Sequence, residues 1–347
     1  MSTQVYRLVE YTVDSVFDCG TVGSAAAAQQ HAPGSRDLVA PAPPQPLPIV
    51  PQGAWQLSSC NIPAVWSKHG TRGRGVRVAV IDTGVDPRHP CLPTVVAHDY
   101  AGSGPLLGAT DQQGHGTHVC GLIAGATTGV APEATVVSIK VFGQDGAAAQ
   151  ANIIRALKDI RDGAFGAVDI INMSLGSPQP CEEMRLLLME LTARGKLVVC
   201  AAGNQGAHDA APGAPRFGTV AYPASFSNTL AVGSVNDKNA RSTFSSTGPN
   251  IAVMAPGEAV LSTWLKGGLA LLSGTSMAAP FLSGCLALLL SACKARGVPP
   301  PGTDAVLFLL AATSADMMAS GFDLYTGNGC VCPDALISKW MEFSKRK

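Results

Sequence analysis

The stretch Gly274-Thr275-Ser276-Met277-Ala278-Ala279-Pro280 sets a serine among small residues, directly before an apolar run from Phe281 to Ala292. Small neighbours let another polypeptide backbone approach the hydroxyl. The apolar run predicts a buried helix with Ser276 at its N-terminus, where unpaired N–H groups and the helix dipole favour negative charge. We expect Pro280 in the first turn of that helix, which needs no backbone donor. A core helix that merely begins with serine is the alternative.

Three further segments supply the groups that a nucleophilic serine requires. An apolar run from Val78 to Ile81 ends in Asp82 and a glycine turn, as expected at the end of a strand. His115 lies between two glycines ahead of a second apolar run, and a third apolar run, 198–202, leads to a glycine and Asn204. Asp, His and Ser in this order along the chain form one of the known orders of the convergent serine triad.

These four segments resemble the subtilases, the subtilisin-like serine proteases, and the resemblance covers residues 55–335. It implies a serine endopeptidase that works through an acyl-enzyme on Ser276, with His115 as general base and Asp82 as the carboxylate that orients it. It also implies that the side-chain amide of Asn204 and the Ser276 N–H stabilise the oxyanion. Because a histidine base must be neutral, we expect activity to fall in acid. Taken singly, these residues have plainer interpretations: a turn aspartate, a structural histidine and a left-handed asparagine.

The resemblance also assigns a substrate-binding region. Ser174, Leu175 and Gly176 match the family segment that pairs with the substrate as an added strand. The residues that would line the pocket for the side chain before the cut are Ala201, Ala202, Gly203 and Ala221. The last of these stands where many relatives carry glycine, so its methyl group should make the pocket shallow and favour small or medium apolar residues.

Short apolar strands alternate with amphipathic helices through the rest of the chain. The predicted elements are the helix Ile62–His69, the strands Val76–Ile81, Thr135–Val141, Asp169–Met173, Lys196–Ala202 and Thr229–Val235, and helices with apolar faces at Ile153, Ile154, Leu157, Ile160 and at Met184, Leu187, Leu188, Leu191. This alternation predicts an α/β fold with a mostly parallel central sheet covered by helices on both faces, the three layers of the subtilisin-like fold. Ligands gather beyond the carboxyl ends of such strands, where Asp82, Ser174 and Asn204 all fall.

Composition restricts the classes of partner. Hydrophobic residues make up 46% of the 347 residues and charged residues 14%, and the formal net charge is zero. This excludes disorder for most of the chain and gives no support for nucleic acid or an anionic membrane as a partner. Residues 1–18 lack the apolar core of a signal peptide, and the apolar stretch 278–292 is shorter than the ~20 residues of a membrane span. We therefore expect a cytoplasmic protein.

Ten cysteines in a chain of this size without a secretory signal predict free thiols. Cys330-Val331-Cys332 is too short to hold a metal without further partners. Set against the subtilases, Cys91 stands where calcium-binding members carry an aspartate ligand, and residues 125–130 are too few for their calcium loop. We expect no tight calcium site and no cofactor for the chemistry, but a weaker calcium site stays open because carbonyl ligands are invisible in sequence. Phe281 replaces a histidine common after the serine motif, and we expect it only to pack.

Residues 1–50 differ in character from the peptidase domain expected at 51–347. Val5 to Val13 alternates as a short strand would, residues 20–40 are small and polar, and residues 41–48 form a Pro-rich linker. The segment Arg7-Leu8-Val9-Glu10-Tyr11 is similar to the N-terminal extension of intracellular subtilisins, which lies across the active site and blocks it. Glu10 stands where that family motif has proline. A surface-packed or disordered tail is the alternative.

Several functions remain open at this stage. The endopeptidase could degrade unfolded polypeptide in general or mature a single peptide precursor. A transamidase that cyclises peptides would need an insertion that keeps water out of the site, and no segment between the motifs is long enough. A silent binding module would keep the fold while some distortion prevents catalysis.

Overall fold

The computed structural model describes residues 5–8, 12–18, 53–93, 95–103, 108–143, 145–206 and 218–345. The strands are β1 Val5–Leu8, β2 Thr12–Asp18, β3 Arg77–Asp82, β4 Val96–Asp99, β5 Thr135–Lys140, β6 Ala147–Ala149, β7 Ile170–Met173, β8 Leu175–Gly176, β9 Leu197–Ala201, β10 Leu230–Val235, β11 Ile251–Pro256, β12 Val260–Thr263 and β13 Gly268–Ser273. The helices are α1 Trp55–Ser59, α2 Ile62–His69, α3 His115–Ala124, α4 Gln150–Arg161, α5 Glu182–Ala193, α6 Thr275–Arg296, α7 Thr303–Thr313 and α8 Pro333–Ser344. Residues 9–11 of the N-terminal motif, the polar stretch 20–40 and the Pro-rich linker 41–48 lie outside the described residues.

The central sheet contains seven strands in the order β11-β10-β9-β7-β3-β5-β4, and all neighbouring pairs are parallel. Strands β3, β5, β7, β9 and β10 lie within a residue of their predicted bounds, and α2 has the predicted bounds. Their prediction succeeded because strands buried on both faces are almost continuously apolar. The edge strand β4 was missed, and its first two residues are exposed.

Helices cover the two faces of this sheet. In β3, Val78 and Val80 join one apolar cluster while Ala79 and Ile81 join the other, as the two-residue period of a strand requires. The first cluster also contains α3 and α6, and the second contains α4 and α5. The predicted three-layer α/β fold is therefore confirmed.

The longest helix, α6, is the centre of the first layer. Every residue from Thr275 to Cys293 is buried. Within the part of the chain that the structure describes, it is the one helix long and apolar enough to cross a membrane, and its burial identifies it as a core helix. Because α6 begins at Thr275, Pro280 is its sixth residue, and the expectation of a first-turn proline was wrong. Phe281 is fully buried in the apolar cluster.

Two small sheets lie beside the central one. Strand β1 runs antiparallel between β6 and β8, whereas β2 pairs antiparallel with β13, which in turn pairs with β12. The single strand expected from Val5 to Val13 is therefore two strands that belong to different sheets.

Candidate active site

The predicted site residues gather at one edge of the central sheet. Strands β3, β7 and β9 are adjacent and parallel, so their carboxyl ends lie together. Asp82 is the last residue of β3, Ser174 directly follows β7, and Asn204 comes shortly after β9. His115 and Ser276 lie in the first turns of α3 and α6, which pack against each other.

Asp82 and His115 form a buried pair. Asp82 Oδ1 lies 2.7 Å from His115 Nδ1, and the same oxygen accepts the Thr83 backbone N–H at 2.7 Å. Both side chains of the pair are 0% exposed. With an ionised carboxylate as acceptor, Nδ1 carries the proton of the neutral imidazole, which leaves Nε2 as the basic nitrogen.

The glycines on either side of His115 are required by close packing. Gly114 has a φ of 93°, and a Cβ there would collide with the ring of Trp264. A Cβ on Gly116 would collide with the carbonyl oxygen of Gly84. A side chain at position 116 would therefore push the first turn of α3 away from the end of β3, and one at position 114 would displace it from Trp264.

A second buried carboxylate, that of Asp111, holds the loop before α3. Its oxygens accept the Gly114 N–H at 2.9 Å, the Thr83 hydroxyl at 2.9 Å, and the N–H and hydroxyl of Thr117 at 2.9 and 2.7 Å. Lys140, also buried, donates to the Thr83 carbonyl at 2.8 Å. Burial lowers the pKa of Lys140, and the nearby carboxylates, Asp111 first, oppose that change. Sequence analysis missed both residues, although a lysine at the end of an apolar strand was a usable signal.

Ser276 is tied to the end of β7 by two contacts. Its hydroxyl donates to the Ser174 carbonyl at 3.4 Å, and the Ser174 hydroxyl donates to the Ser276 carbonyl at 2.9 Å. In a regular helix the Ser276 carbonyl would accept the N–H of residue 280, but Pro280 has no N–H. Asn172 Nδ2 donates to Ser174 Oγ at 3.1 Å, and the Ser283 hydroxyl donates to Asn172 Oδ1 at 2.9 Å. A buried polar chain therefore replaces the missing helical hydrogen bond and fixes the serine.

The orientation of Asn204 is set by Thr275, a residue whose role sequence analysis missed. Asn204 Oδ1 accepts both the backbone N–H and the hydroxyl of Thr275 at 2.9 Å. The Thr275 Oγ in turn accepts the Gly203 N–H at 3.1 Å. Because Oδ1 faces Thr275, the Nδ2 amino group must point to the other side of the carboxamide.

The predicted substrate-binding segments lie side by side. The Ala221 N–H donates to the Ala202 carbonyl at 2.9 Å, so the predicted floor of the pocket adjoins the end of β9. Ser177 and Tyr222 exchange two backbone hydrogen bonds of 2.9 Å, which join the end of β8 to the same loop. β8, whose two residues were predicted to pair with substrate, has β1 as its neighbour.

Comparison with known proteins identifies the family of this chain. Residues 73–329 match the model of the Subtilase family, peptidase S8. The chain belongs to the subtilase family. This subtilase is 40% identical over 253 residues to the Major intracellular serine protease of Bacillus subtilis (strain 168), covering 70% of this chain and 75% of that protein. It is 38% identical over 251 residues to the Intracellular serine protease of Paenibacillus polymyxa (69% and 72%) and 37% identical over 239 residues to Subtilisin BL of Lederbergia lenta (67% and 82%). It is a subtilisin-like serine endopeptidase.

The turn after α3 in this subtilase is closed by its own backbone. The Gly125 N–H donates to Gly121 at 2.8 Å, the Gly129 N–H donates to Gly125 at 2.9 Å, and the Ala126 N–H donates to the carbonyl of Cys91 at 2.7 Å. Across the described ranges, no group of three or more His, Cys, Asp or Glu side chains is placed to hold a metal ion. The nine cysteines in those ranges are in the thiol form.

Proposed function

We propose that Asp82, His115 and Ser276 are the catalytic triad of this endopeptidase. Ser276 Oγ attacks the carbonyl carbon of the scissile peptide while His115 Nε2 takes the hydroxyl proton, and Asp82 stabilises the imidazolium. The C–N bond then breaks as His115 gives that proton to the leaving amine, which leaves an acyl-enzyme. Water repeats the sequence with His115 as base and releases the acid.

The oxyanion of each tetrahedral intermediate needs donors that are already in place. We propose Asn204 Nδ2 and the Ser276 N–H for this role. The support is that Thr275 holds the Asn204 carboxamide by its other end. Ser276 also lies in the first turn of α6, where the helix dipole favours negative charge.

The observation that carries the triad proposal is the buried 2.7 Å contact of Asp82 with His115, at the start of a helix that packs against α6. A fluorophosphonate probe tests it on the full chain and on a chain without residues 1–50, each with a Ser276→Ala control. We expect one adduct on Ser276 in the truncated chain and none in the control. A folded truncated chain that stays unlabelled would support the silent binding module instead, and cyclic products from a linear peptide would support a transamidase.

We also propose that residues 1–50 form an extension whose first strand occupies the substrate cleft of the peptidase domain, 51–347. Strand β1 pairs antiparallel with β8 through Arg7 opposite Gly176 and Leu8 opposite Leu175. Its other edge pairs with β6. A peptide bound by strand addition makes the same kind of main-chain contacts.

The continuation of the extension supports the same proposal. Strand β2 pairs with β13 from Thr12 opposite Ser273 onward, and β13 leads directly into the turn before Ser276. The two strands of the extension therefore pair with β8 and with the strand that precedes the serine. Tyr6 is 0% exposed, and Ser276 is also 0% exposed. A cleft filled in this way excludes other polypeptides.

Truncation tests this inhibition directly. We expect removal of residues 1–50 to increase hydrolysis of a short peptide substrate, and a synthetic peptide of residues 1–18 to restore inhibition in trans. A peptide of the same composition in scrambled order is the control. Hydrolysis that is no faster after truncation would remove the inhibitory role and leave the triad proposal intact.

For the biological setting, we propose that the enzyme acts in the cytoplasm on extended polypeptide, either unfolded chains in general or a peptide precursor. The support is its similarity to two proteins that carry the name intracellular serine protease. Cleavage of a peptide library would identify the preferred residues and would test the small or medium apolar preference expected from Ala221.

We propose that neither catalysis nor the turn after α3 requires calcium. The support is that the N–H groups of this turn donate to the carbonyls of Gly121, Gly125 and Cys91, so these oxygens already have a partner in the backbone. Chelation with EDTA should leave the melting temperature and peptide hydrolysis unchanged. A melting temperature that falls with EDTA and returns with calcium would reveal the weaker site.

A further inference from the structure

A group of thiols lies away from the catalytic edge, where the beginning and the end of the peptidase domain meet. Cys60 directly follows α1, while Cys330 and Cys332 directly precede α8. The Cys60 sulfur lies 4.0 Å from the carbonyl oxygen of Val331, the residue between the other two cysteines. Cys60 and Cys330 are therefore neighbours in space although about 270 residues separate them.

These thiols line a cavity of about 410 Å³ together with Asn61, Met317 and other residues. Cys60 and Cys332 are half-buried, and Cys330 is 7% exposed. Small molecules can therefore reach this group. By contrast, Cys120 and Cys200 are fully buried, and that burial raises their pKa, so the reactive thiolate is suppressed.

The two thiols of the pair differ in acidity. The Cys330 thiol interacts with the Cys60 sulfur and lowers the pKa of Cys60 against the opposing effect of burial. The same interaction, together with burial, raises the pKa of Cys330. Cys60 is thus the group that ionises first and becomes the nucleophile, and Cys330 is the resolving thiol.

We propose that Cys60 and Cys330 form an oxidisable dithiol that hydrogen peroxide converts into a disulfide. The Cys60 thiolate attacks one peroxide oxygen, the O–O bond breaks, and the departing hydroxide takes up a proton, which leaves a sulfenic acid on Cys60. The Cys330 sulfur then attacks that sulfur, the S–S bond forms, the S–O bond breaks, and the hydroxide leaves as water with the Cys330 proton. Two thiols lose two electrons, and one peroxide becomes two waters.

The disulfide would join the segment before α2 to the segment before α8. Cys330 forms backbone bridges with Met254 of β11 and with Ala315, so the link would anchor α1 to an edge strand of the central sheet. A cross-link over so many residues restricts the unfolded chain strongly. Oxidation should therefore raise the melting temperature by several degrees, and a thiol reductant should reverse the change.

The test uses the full chain with Ser276→Ala, which prevents self-digestion. After peroxide treatment and alkylation of remaining thiols, peptide mapping without reductant should find Cys60 linked to Cys330 in the folded protein. Cys332→Ser should keep the link and the rise in melting temperature. Cys60→Ser and Cys330→Ser should lose both, and a melting temperature that still rises in either variant would overturn the proposal.

A second measurement does not depend on disulfide formation. Iodoacetamide at neutral pH should alkylate Cys60 faster than Cys332 in the reduced protein, and Cys330→Ala should slow the reaction at Cys60. Equal rates at the two cysteines, or a link between Cys60 and Cys332 in place of the expected pair, would contradict the assignment of the two roles.

Discussion

Replacing Ser174 by alanine should destabilise the protein because the backbone carbonyl of Ser276 loses its hydrogen-bond donor. The Ser174 hydroxyl donates at 2.9 Å to the carbonyl of Ser276, which is 0% exposed. The helix cannot supply a substitute donor because the residue four positions later is Pro280. Leaving a buried carbonyl without a partner costs about 1–3 kcal/mol, and we expect a loss of that size in the free energy of unfolding.

A double-mutant cycle separates this cause from general loss of packing. Pro280→Ala restores the N–H that an uninterrupted helix would offer to the Ser276 carbonyl. The effect of Pro280→Ala on the free energy of unfolding should be more favourable in the Ser174→Ala background than in the wild type, by about 1 kcal/mol or more. Recovery should be partial, because Asn172 Nδ2 also loses its acceptor when Ser174 is replaced.

The assay is urea unfolding followed by circular dichroism, with every variant carrying Ser276→Ala so that no self-digestion occurs. Ser283→Ala is the matched control, since it removes a hydroxyl in the same buried chain that serves Asn172 and not the Ser276 carbonyl. Its effect should add to that of Pro280→Ala without coupling. If Pro280→Ala changes stability equally with and without Ser174, the substitute-donor explanation is refuted.

Three other predictions concern the extension, the oxyanion donor and the response to acid. The Tyr6 hydroxyl is buried without a hydrogen-bond partner among the described residues, so a peptide of residues 1–18 with Tyr6→Phe should inhibit the truncated enzyme about tenfold more tightly than the natural peptide. The same peptide with Tyr6→Ala should inhibit about 100-fold more weakly, or worse, because it loses the buried ring. Weaker inhibition by the Phe peptide would show that the hydroxyl is bonded. Thr275→Val removes the hydroxyl that holds Asn204 and should lower kcat by about tenfold at unchanged KM. Thr275→Ser keeps the hydroxyl and should keep most of the activity, which would not be expected if the bulk of the side chain were what mattered. Burial lowers the pKa of His118 from 6.5 to about 3, so below pH 6.5 the unfolded chain takes up a proton that the folded chain refuses. The free energy of unfolding should then fall by up to about 1.4 kcal/mol per pH unit between those values, and His118→Gln should show a shallower fall in urea titrations.

Whether a strand could be predicted from the sequence depends on whether both of its faces are buried. Strands covered on both faces, such as β7 and β9, are largely apolar and can be recognised within a few residues of sequence. Strand β13 pairs with β12 and also with β2, which comes from the far end of the chain. The pairing with β2 depends on a distant partner, so local patterns gave no indication of it.

The site divides in the same way. Asp82 ends a strand two residues before a glycine, His115 begins a helix between two glycines, and Asn204 follows a strand and a glycine, so local context made them candidates. The groups that hold them did not stand out, because their role exists only across the fold: Thr275 acts on a carboxamide 71 positions away, and Ser174 acts on a carbonyl 102 positions away. The misplacement of Pro280 has the same origin, since a proline beyond the first turn is tolerated only when a distant donor takes over its role.

The extension illustrates why a cleft of this kind is hard to recognise from sequence. Strands β6 and β8 contain three and two residues, and in their small sheet they are joined only through β1. Strands so short have too few hydrogen bonds to form a sheet alone, and in this structure β1 completes the sheet, as we propose that an extended substrate does in its place. Affinity then comes from main-chain bonds and from the burial of alternate side chains such as Tyr6, and neither requires a particular sequence motif. An enzyme that accepts extended polypeptide in this way can be blocked by its own N-terminus through the same contacts, with a segment that carries little sequence signal.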